Sequence, residues 1–512
     1  MSRPWLFFIL LVFACRAGPP TVEESVEVTG QLSVVLEPDA ARVAGASWRV
    51  DGGPWHTSGT SVELPPGVHQ LEFSAVSHWT EPAPVLDYQQ TQGATQLTQV
   101  YIRQFPEHTT DFFDATTVHP EAKGFQVADY DRTGRRVIFY PWGGIVTNPT
   151  SVVLAYHTDK DFLSASSYDA VDVSVLVSPD AQGFGTGFVD AAARWSYFVP
   201  FRKRLGTTVF QTANDLAVRF DLTKALSDVS AYETFRLSSL PVPPPSLGWI
   251  TGTEANGHAY YLPYGTPLSG APWHARHGIL LRYETSKAFT DPAAWQWYDL
   301  TQIHAGAVGF QSIAAKPPWL YLIPYIDGQN GANVLVRYNL DQPFTESASY
   351  ESVVLTSLHP GAIGYTGAIV AGDNLVLVPW RDMGETVQSE QSVSLAAVFD
   401  TRAALTDASA WSFFDLTTLH PDAKGYQFGW LDKLGFVHFV PTHNFALLGP
   451  PPFVVWDGAR PFTSPSSWAT YPNSGVAQTG AAYDGNFAWL APYGRAGSSG
   501  QITRVRYDYS AP

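Results

Sequence analysis

The sequence predicts an all-β protein in which a small N-terminal β-sandwich precedes a ring of seven repeated units. Three observations predict it. Six times, an aromatic residue that closes a strand-like run is followed 12 positions later by Tyr or Trp. A second strand-like run ends at a proline in each of seven units. Beyond residue 104 the apolar residues show no helical periodicity, so the units consist of strands and turns.

The 12-residue step joins the third predicted strand of a unit to the fourth. A constant step fixes the register of a hairpin, and aromatic residues at both of its ends can pack one unit onto the next. We therefore interpret the repeated aromatic residues as core. The six pairs are Tyr156/Tyr168, Phe220/Tyr232, Tyr283/Trp295, Tyr338/Tyr350, Phe399/Trp411 and Trp456/Trp468.

We assign Tyr507 as the first residue of a seventh 12-residue step. The chain ends before the second residue of that step, so we expect the fourth strand of the last unit to come from elsewhere in the sequence. Residues 110–114 read TDFFD and match the WSFFD of residues 411–415. We predict that 110–114 supplies the outer strand of the last unit and closes the ring through ladder hydrogen bonds. Truncation at either end would then open it.

Four short strands in a unit of about 58 residues resemble the blade of a β-propeller. The units lack the WD dipeptide and are longer than WD40 or kelch blades. The resemblance implies a seven-bladed β-propeller over residues 104–512 without assigning a particular family.

The first 15 residues are typical of a secretory signal. Arg3 precedes an apolar run, Trp5–Ala14, that is too short to span a bilayer. Cys15 follows in the sequence VFAC, which resembles the lipobox of bacterial lipoproteins. That resemblance implies lipidation at Cys15, export, and a place in the cell envelope, as an outer-membrane lipoprotein or extracellular protein. A plain signal peptide is the alternative, and residues 16–27 read as a tether.

Residues 28–103 alternate apolar and polar side chains between Gly- and Pro-containing turns, which predicts a small antiparallel β-sandwich. The segments WRVDGGPWHTSG and LPPGVHQLEF resemble Ig-like or PEGA-like modules, which implies a spacer.

Composition excludes several classes of function. The net charge is −16 and the basic residues are scattered, so neither nucleic acid nor an anionic lipid surface is an expected partner, and membrane contact would occur only through the lipid. Cys15 is the only cysteine, which excludes disulfide scaffolding and thiol chemistry in the mature chain. We expect a monomer.

The loops after the seven prolines are the least repetitive part of the chain, and variation on a regular scaffold favours binding. An aromatic residue follows the proline in six of them. Aromatic faces beside planar polar groups suit carbohydrate, although the same aromatic residues could instead plug the central channel. The candidate ligand-binding residues are Trp142, Phe201, Arg202, Trp273, His274, His277, Tyr325, Asp327, Trp380, Arg381, Asp382, His443, Tyr493 and Arg495.

Other polar residues recur in register and are interpreted as structural. Four histidines begin turns, and four aspartates end fourth strands, so we expect turn hydrogen bonds and loop caps rather than a metal ring or general acids. These residues are His119, His304, His359 and His420, and Asp114, Asp172, Asp299 and Asp415. The loop Asp327–Gly331 could hold calcium but is more simply a Gly-rich turn, so no cofactor is expected.

Three functions remain open from the sequence. The first is a surface-anchored protein that binds a glycan or a protein. The second is an exported enzyme, a glycosidase or lyase, which would need two carboxylates that converge, with Asp327, Asp382 and Glu385 as candidates. The third is a structural envelope protein whose channel mouth is closed by side chains.

Overall fold

In a computed structural model of the protein, the described residues are 29–142, 151–204, 211–266, 275–325, 333–382, 391–443, 450–473, 475–493 and 499–508. The chain divides into two compact units. One comprises Met1–Pro106 with Tyr509–Pro512, and the other comprises Glu107–Asp508. The predicted signal, Cys15 and the tether at 16–27 lie outside the described residues.

The N-terminal unit is the predicted small β-sandwich, with Trp48 and Tyr101 fully buried in its core. Its strands are Gly30–Glu37, Ser47–Val50, His56–Thr57, Ser61–Leu64, Gly67–Phe73, Trp79–Thr80, Val85–Gln90, Ala94–Val100 and Ile102–Arg103, and its helix is Asp39–Val43. The expectation of purely antiparallel pairing was wrong, because Gly30–Glu37 pairs in parallel with Ala94–Val100. These two strands are far apart in the chain, so no hairpin dictates their relative direction.

Residues 107–508 form seven four-stranded antiparallel sheets, which confirms the predicted seven-bladed propeller. The first strands of successive blades contact one another, and the first strand of blade 7 contacts that of blade 1, so these strands surround a closed axis. Listed from first to fourth strand, blades 1 to 4 are Phe125–Asp131, Arg136–Pro141, Val152–His157, Tyr168–Asp172; Phe184–Val189, Trp195–Pro200, Leu216–Asp221, Tyr232–Arg236; Trp249–Ala255, His258–Pro263, Ile279–Glu284, Trp295–Asp299; and Phe310–Lys316, Trp319–Pro324, Val334–Asn339, Tyr350–Val354. Blades 5 to 7 are Tyr365–Ala371, Asn374–Pro379, Leu395–Asp400, Trp411–Asp415; Tyr426–Leu431, Phe436–Pro441, Phe453–Asp457, Trp468–Tyr471; and Gln478–Tyr483, Phe487–Pro492, Gln501–Asp508, Glu107–Asp114.

Short helical turns and extra strands occupy the connections. Two α-helical turns span Val173–Leu176 and Leu355–Leu358. The 3-10 turns are Ala115–Thr117, Ala165–Ser167, Val229–Ala231, Leu237–Ser239, Pro292–Ala294, Leu300–Gln302, Ser347–Ser349, Ala408–Ala410, Leu416–Thr418 and Pro465–Ser467. Two-stranded ribbons extend blades 2, 3 and 5, pairing Arg202–Arg204 with Gln211–Ala213, Gly265–Thr266 with Ala275–Arg276, and Arg381–Asp382 with Gln391–Ser392.

The 12-residue step places its two aromatic residues directly opposite each other. All six pairs are cross-strand partners of the third and fourth strands. The second member is always Tyr or Trp because its polar atom donates a hydrogen bond to a main-chain carbonyl six residues earlier, as Tyr350 Oη does to Phe344 O at 2.6 Å. The other five bonds join Tyr168 to Phe162, Tyr232 to Leu226, Trp295 to Phe289, Trp411 to Leu405 and Trp468 to Phe462. Phenylalanine has no donor with which to form this bond.

Replacing Tyr350 by Phe should destabilise the protein by about 1–2 kcal/mol, because the carbonyl of Phe344 would then be buried without a donor. Tyr365 is a matched control in the next blade, since its buried hydroxyl makes no hydrogen bond to any described residue. Tyr365→Phe should be neutral or stabilising. Urea denaturation of both variants checks this, and equal losses of stability would contradict the assigned role of the hydroxyl.

Aromatic stacking also joins neighbouring blades. Tyr298 of blade 3 stacks on Tyr350 of blade 4 at 4.8 Å between ring centroids, and Phe113 of blade 7 stacks on Tyr168 of blade 1 at 4.2 Å. Phe235/Trp295 and Phe414/Trp468 repeat the arrangement. In four of the six steps the second residue therefore packs on two blades, a role that suits a large and flat side chain.

Blade 7 is built from both ends of the propeller sequence. Glu107–Asp114 pairs antiparallel with Gln501–Asp508, and Arg504 Nη2 lies 2.5 Å from Asp111 Oδ2. Our assignment of Tyr507 to the 12-residue step was wrong, because Val505, opposite Thr110, occupies the equivalent register and Tyr507 faces His108. No turn joins these two strands. They therefore extend beyond the position at which a hairpin turn ends the third strand in the other blades.

Candidate functional site

The proline end of the propeller is the end at which every second strand finishes and every first strand begins. In all seven blades the residue after the proline donates its backbone N–H to the carbonyl of the residue before the first strand, as Trp380 does to Gly364 at 3.0 Å. Gly364 has a φ of 69°, and a Cβ there would lie 2.1 Å from the Arg381 carbonyl. The residue before the first strand, a glycine in six blades and Ala477 in blade 7, thus holds the residue after the proline close to the axis.

Six aromatic residues that follow a proline form one connected group, which we call the aromatic cluster. Five of them are at most 8% exposed, and Trp142 is half-buried. The centroid distances are 5.5 Å for Phe201/Tyr264, 6.5 Å for Tyr264/Tyr325, 5.5 Å for Tyr325/Trp380, 6.1 Å for Trp380/Tyr493 and 6.1 Å for Trp142/Tyr493. Blade 6 has Thr442 at this position, and Trp380 meets Tyr493 across it. These rings pack against one another, as the packing alternative expects.

Three arginines lie on the aromatic cluster, and we call them the arginine group. The guanidinium carbons of Arg202, Arg276 and Arg381 lie 4.2, 4.0 and 4.1 Å from the ring centroids of Phe201, Tyr264 and Trp380. Arg381 Nε also donates to the hydroxyl of Tyr325. Each arginine belongs to one of the three ribbons, so three blades contribute one cation each.

The charges of the arginine group affect the groups around them. The pKa of Arg202 is lowered to about 10, chiefly by burial and in part by nearby Arg276, while Tyr264 opposes the shift. Burial alone would raise the pKa of the Tyr264 phenol, but Arg276, Arg202 and Arg381 together hold it below its ordinary value. Within the described ranges, the arginine group thus brings three cations together at the proline end of a chain of net charge −16.

The remaining sequence candidates are placed as follows. His277 is 7% exposed and supports the backbone, since Nε2 lies 3.1 Å from Leu247 O and Nδ1 accepts from Ile279 N at 3.2 Å. His443 is half-buried, and its carbonyl accepts a bond from Ser392 Oγ. Trp273, His274, Asp327 and Arg495 lie outside the described residues, as does the side chain of Asp382. The candidate calcium loop at 327–331 also lies outside them.

Sequence reasoning missed Arg276. The sequence does place Arg276 in a loop that follows a proline and precedes a third strand, and the candidates of the other blades lie in loops of the same kind. His274 and His277 of the same loop were among the candidates, whereas Arg276 was not. Pairing of Gly265 with Arg276 in the ribbon brings it back to the proline end.

The repeated histidines and aspartates have the predicted structural roles. Nδ1 of each of the four histidines accepts the backbone N–H two residues ahead, at 3.0–3.2 Å. The four aspartates cap the helical turns that follow them, as Asp415 does for Thr417 N. Across the described ranges, no three His, Cys, Asp or Glu side chains lie close enough together to bind a metal ion. None of the helices in these ranges has the length and apolar character needed to cross a bilayer.

The fold and the site define this protein as a seven-bladed propeller with an aromatic and arginine-bearing end. No protein-family model matches the sequence, and no curated protein sequence matches it. Two solved structures are among those similar to this chain. The WD40 domain of Neurospora crassa Pan2 is 10% identical with a TM-score of 0.47, covering 78% of this chain and 95% of that one. Hydrazine synthase of Kuenenia stuttgartiensis is 9% identical with a TM-score of 0.45, covering 75% and 96%.

Proposed function

We propose that this protein is an exported, lipid-anchored surface protein whose propeller binds a glycan at its proline end. The observation that carries the proposal is the convergence of the aromatic cluster and the arginine group, which six different blades supply. Sugars present a C–H face that packs on aromatic rings and hydroxyls that accept bonds from guanidinium groups. A protein ligand with exposed carbonyl groups could use the same donors.

The anchoring part of the proposal rests on the sequence around Cys15. A single acyl chain gives only marginal membrane binding, so stable anchoring needs the multiple acylation implied by the lipobox resemblance. In a bacterial host that processes lipoproteins, the wild-type chain should incorporate labelled palmitate and sediment with membranes, whereas Cys15→Ala should do neither. Equal labelling of the two proteins would refute lipidation at Cys15.

Binding at the proline end is tested with Trp380→Ala. On a glycan array, the mature chain should bind at least one glycan, and the variant should bind it at least about tenfold more weakly. Trp319→Ala is the matched control, because Trp319 is a half-buried tryptophan at the opposite end of a second strand, where it lies under Arg337. This control should keep full affinity. A glycan that binds all three proteins equally would place the site elsewhere.

A structural envelope role is the second candidate, and one observation favours it. The rings of the aromatic cluster cover one another, which is how a closed channel mouth is built. Under this alternative Trp380→Ala would destabilise the propeller while no glycan bound the wild-type protein. The enzyme alternative depends on Asp327, Asp382 and Glu385, whose side chains lie outside the described residues, and no observation on the described residues favours it.

A further inference from the structure

One sheet of the N-terminal unit ends in an open edge. Its strand order places Gly30–Glu37 in the centre, Ser61–Leu64 at one edge and Ala94–Val100 at the other. Ala94–Val100 pairs only with Gly30–Glu37, so the backbone N–H and C=O groups on its outer side make no hydrogen bond to any described residue. Such a row of donors and acceptors is a template for the addition of another strand.

Other edge strands of the described chain carry features that prevent strand addition. Ser61–Leu64 has four residues, contains Glu63 and is followed by two prolines. At an edge of the second sheet, Val85–Gln90 contains Asp87, and its pairing is interrupted by a register shift. The fourth strands of six blades each contain a charged residue, and that of blade 6, Trp468–Tyr471, has only four residues. Charges, bulges, prolines and short length all block association between edges.

Ala94–Val100 has none of these protective features. Its sequence is ATQLTQV, and the whole run of residues 88–102 contains neither a charged residue nor a proline. Leu97 faces the core but is only half-buried, as expected for a strand with one uncovered side. The alternate side chains of the outer face are exposed, and these are Ala94, Gln96, Thr98 and Val100.

We propose that Ala94–Val100 pairs antiparallel with the same strand of a second copy of this chain, across a two-fold axis. The strand is complementary to itself, because with Leu97 at the axis Gln96 lies opposite Thr98 and Ala94 lies opposite Val100. The lack of charge lets the two edges meet without local repulsion in a chain of net charge −16. A dimer of this kind departs from the monomer expected from the composition.

Dimerisation would place two propellers in one particle. A polymeric glycan could then occupy both proline ends, and the second binding event would be intramolecular. This consequence rests on the proposed function, whereas the pairing of the strands does not, so sedimentation tests the dimer without any glycan.

Sedimentation velocity of residues 16–512 should show twice the mass of one chain at about 10–100 µM, since strand addition alone gives a small interface and a weak affinity. This chain contains no cysteine, so a disulfide cannot produce the dimer. Gln96→Lys combined with Thr98→Lys places like charges opposite each other and should weaken dimerisation at least about tenfold. Ser61→Lys combined with Glu63→Gln changes the charge of the other edge equally and should leave dimerisation unchanged.

Charge reversal identifies the partner as a second copy. Gln96→Glu combined with Thr98→Glu should also be monomeric alone. An equimolar mixture of the lysine and glutamate variants should form a mixed dimer, because each lysine then lies opposite a glutamate. A lysine variant that dimerises as well as the wild type would show that the dimer uses another surface, and would overturn the inference.

Hydrogen exchange of the wild-type chain gives a second test that needs no variant. The outward amides of Ala94–Val100 should become at least about tenfold more protected as the protein concentration rises into the dimeric range. Equal protection at all concentrations would mean that another segment, such as the tether at 16–27, covers the edge, and would overturn the dimer. A chain that stays monomeric with an unprotected edge would also overturn it and would leave the edge to a strand of another protein.

Discussion

Phe113→Ala is expected to destabilise the propeller by about 3–5 kcal/mol, the usual cost of removing a buried aromatic side chain. Phe113 is 7% exposed, and its ring lies nearly parallel to that of Tyr168, at 6°. Phe113 lies on the strand that closes blade 7, and the ring that it stacks on belongs to blade 1. Phe113 also lies opposite Ile502 in the same core cluster, so removing the ring also weakens the ladder between Glu107–Asp114 and Gln501–Asp508, two strands that no turn connects.

Phe112→Ala is the matched control for this prediction. Phe112 precedes Phe113 on the same strand, points to the other face of the sheet and is half-buried. We expect a clearly smaller loss of stability from Phe112→Ala. The measurement is guanidinium denaturation followed by far-UV circular dichroism and tryptophan fluorescence. Equal midpoints for Phe113→Ala and the wild type would show that the closing strand contributes little to the ring.

Acid should destabilise the protein through the buried His277 and the half-buried His108. Burial lowers the pKa of His277 to about 4, and the pKa of His108 also falls to about 4 through burial and the proximity of His438. Because both folded-state values lie below the ordinary 6.5, the unfolded chain binds more protons between pH 6.5 and 4. Stability is therefore complete above pH 6.5 and is lost as the pH falls towards 4. For His277 alone the loss is about 3 kcal/mol.

The His277 contribution can be isolated with His277→Asn, which cannot titrate. The difference in unfolding free energy between wild type and variant should shrink by about 3 kcal/mol from pH 7 to pH 4. A comparison of the two proteins is needed because Asp129 acts in the opposite sense, since burial raises its pKa to about 6. Parallel curves of stability against pH would disprove the role of His277.

The repeat was predictable because each unit depends on interactions between residues that are close together in the sequence. The 12-residue step reflects a hairpin of constant length, and Tyr or Trp at its end reflects a single hydrogen bond to a nearby carbonyl, such as that of Phe344. The turn role of His359 depends on the backbone N–H two residues ahead. Patterns of this kind are visible in a sequence because every partner lies within about a dozen residues.

The candidate site was less predictable. The sequence placed Trp380 and Tyr493 on one face. It did not predict that they contact each other across blade 6, because this contact depends on the small Thr442 between them. Arg276 was missed because its approach to Tyr264 results from pairing within a ribbon. Neither contact lies within one strand or one turn.

The sequence by itself determined a ring of seven four-stranded blades with an aromatic core, because each blade is specified by short-range hairpins and periodic burial. Only the tertiary structure decided the register of the closing strand, in which Val505 rather than Tyr507 lies opposite Thr110. It also decided that rings and guanidinium groups from different blades meet at the proline end. Both outcomes depend on contacts between segments that no turn connects. The spacing of residues along the sequence therefore does not predict them.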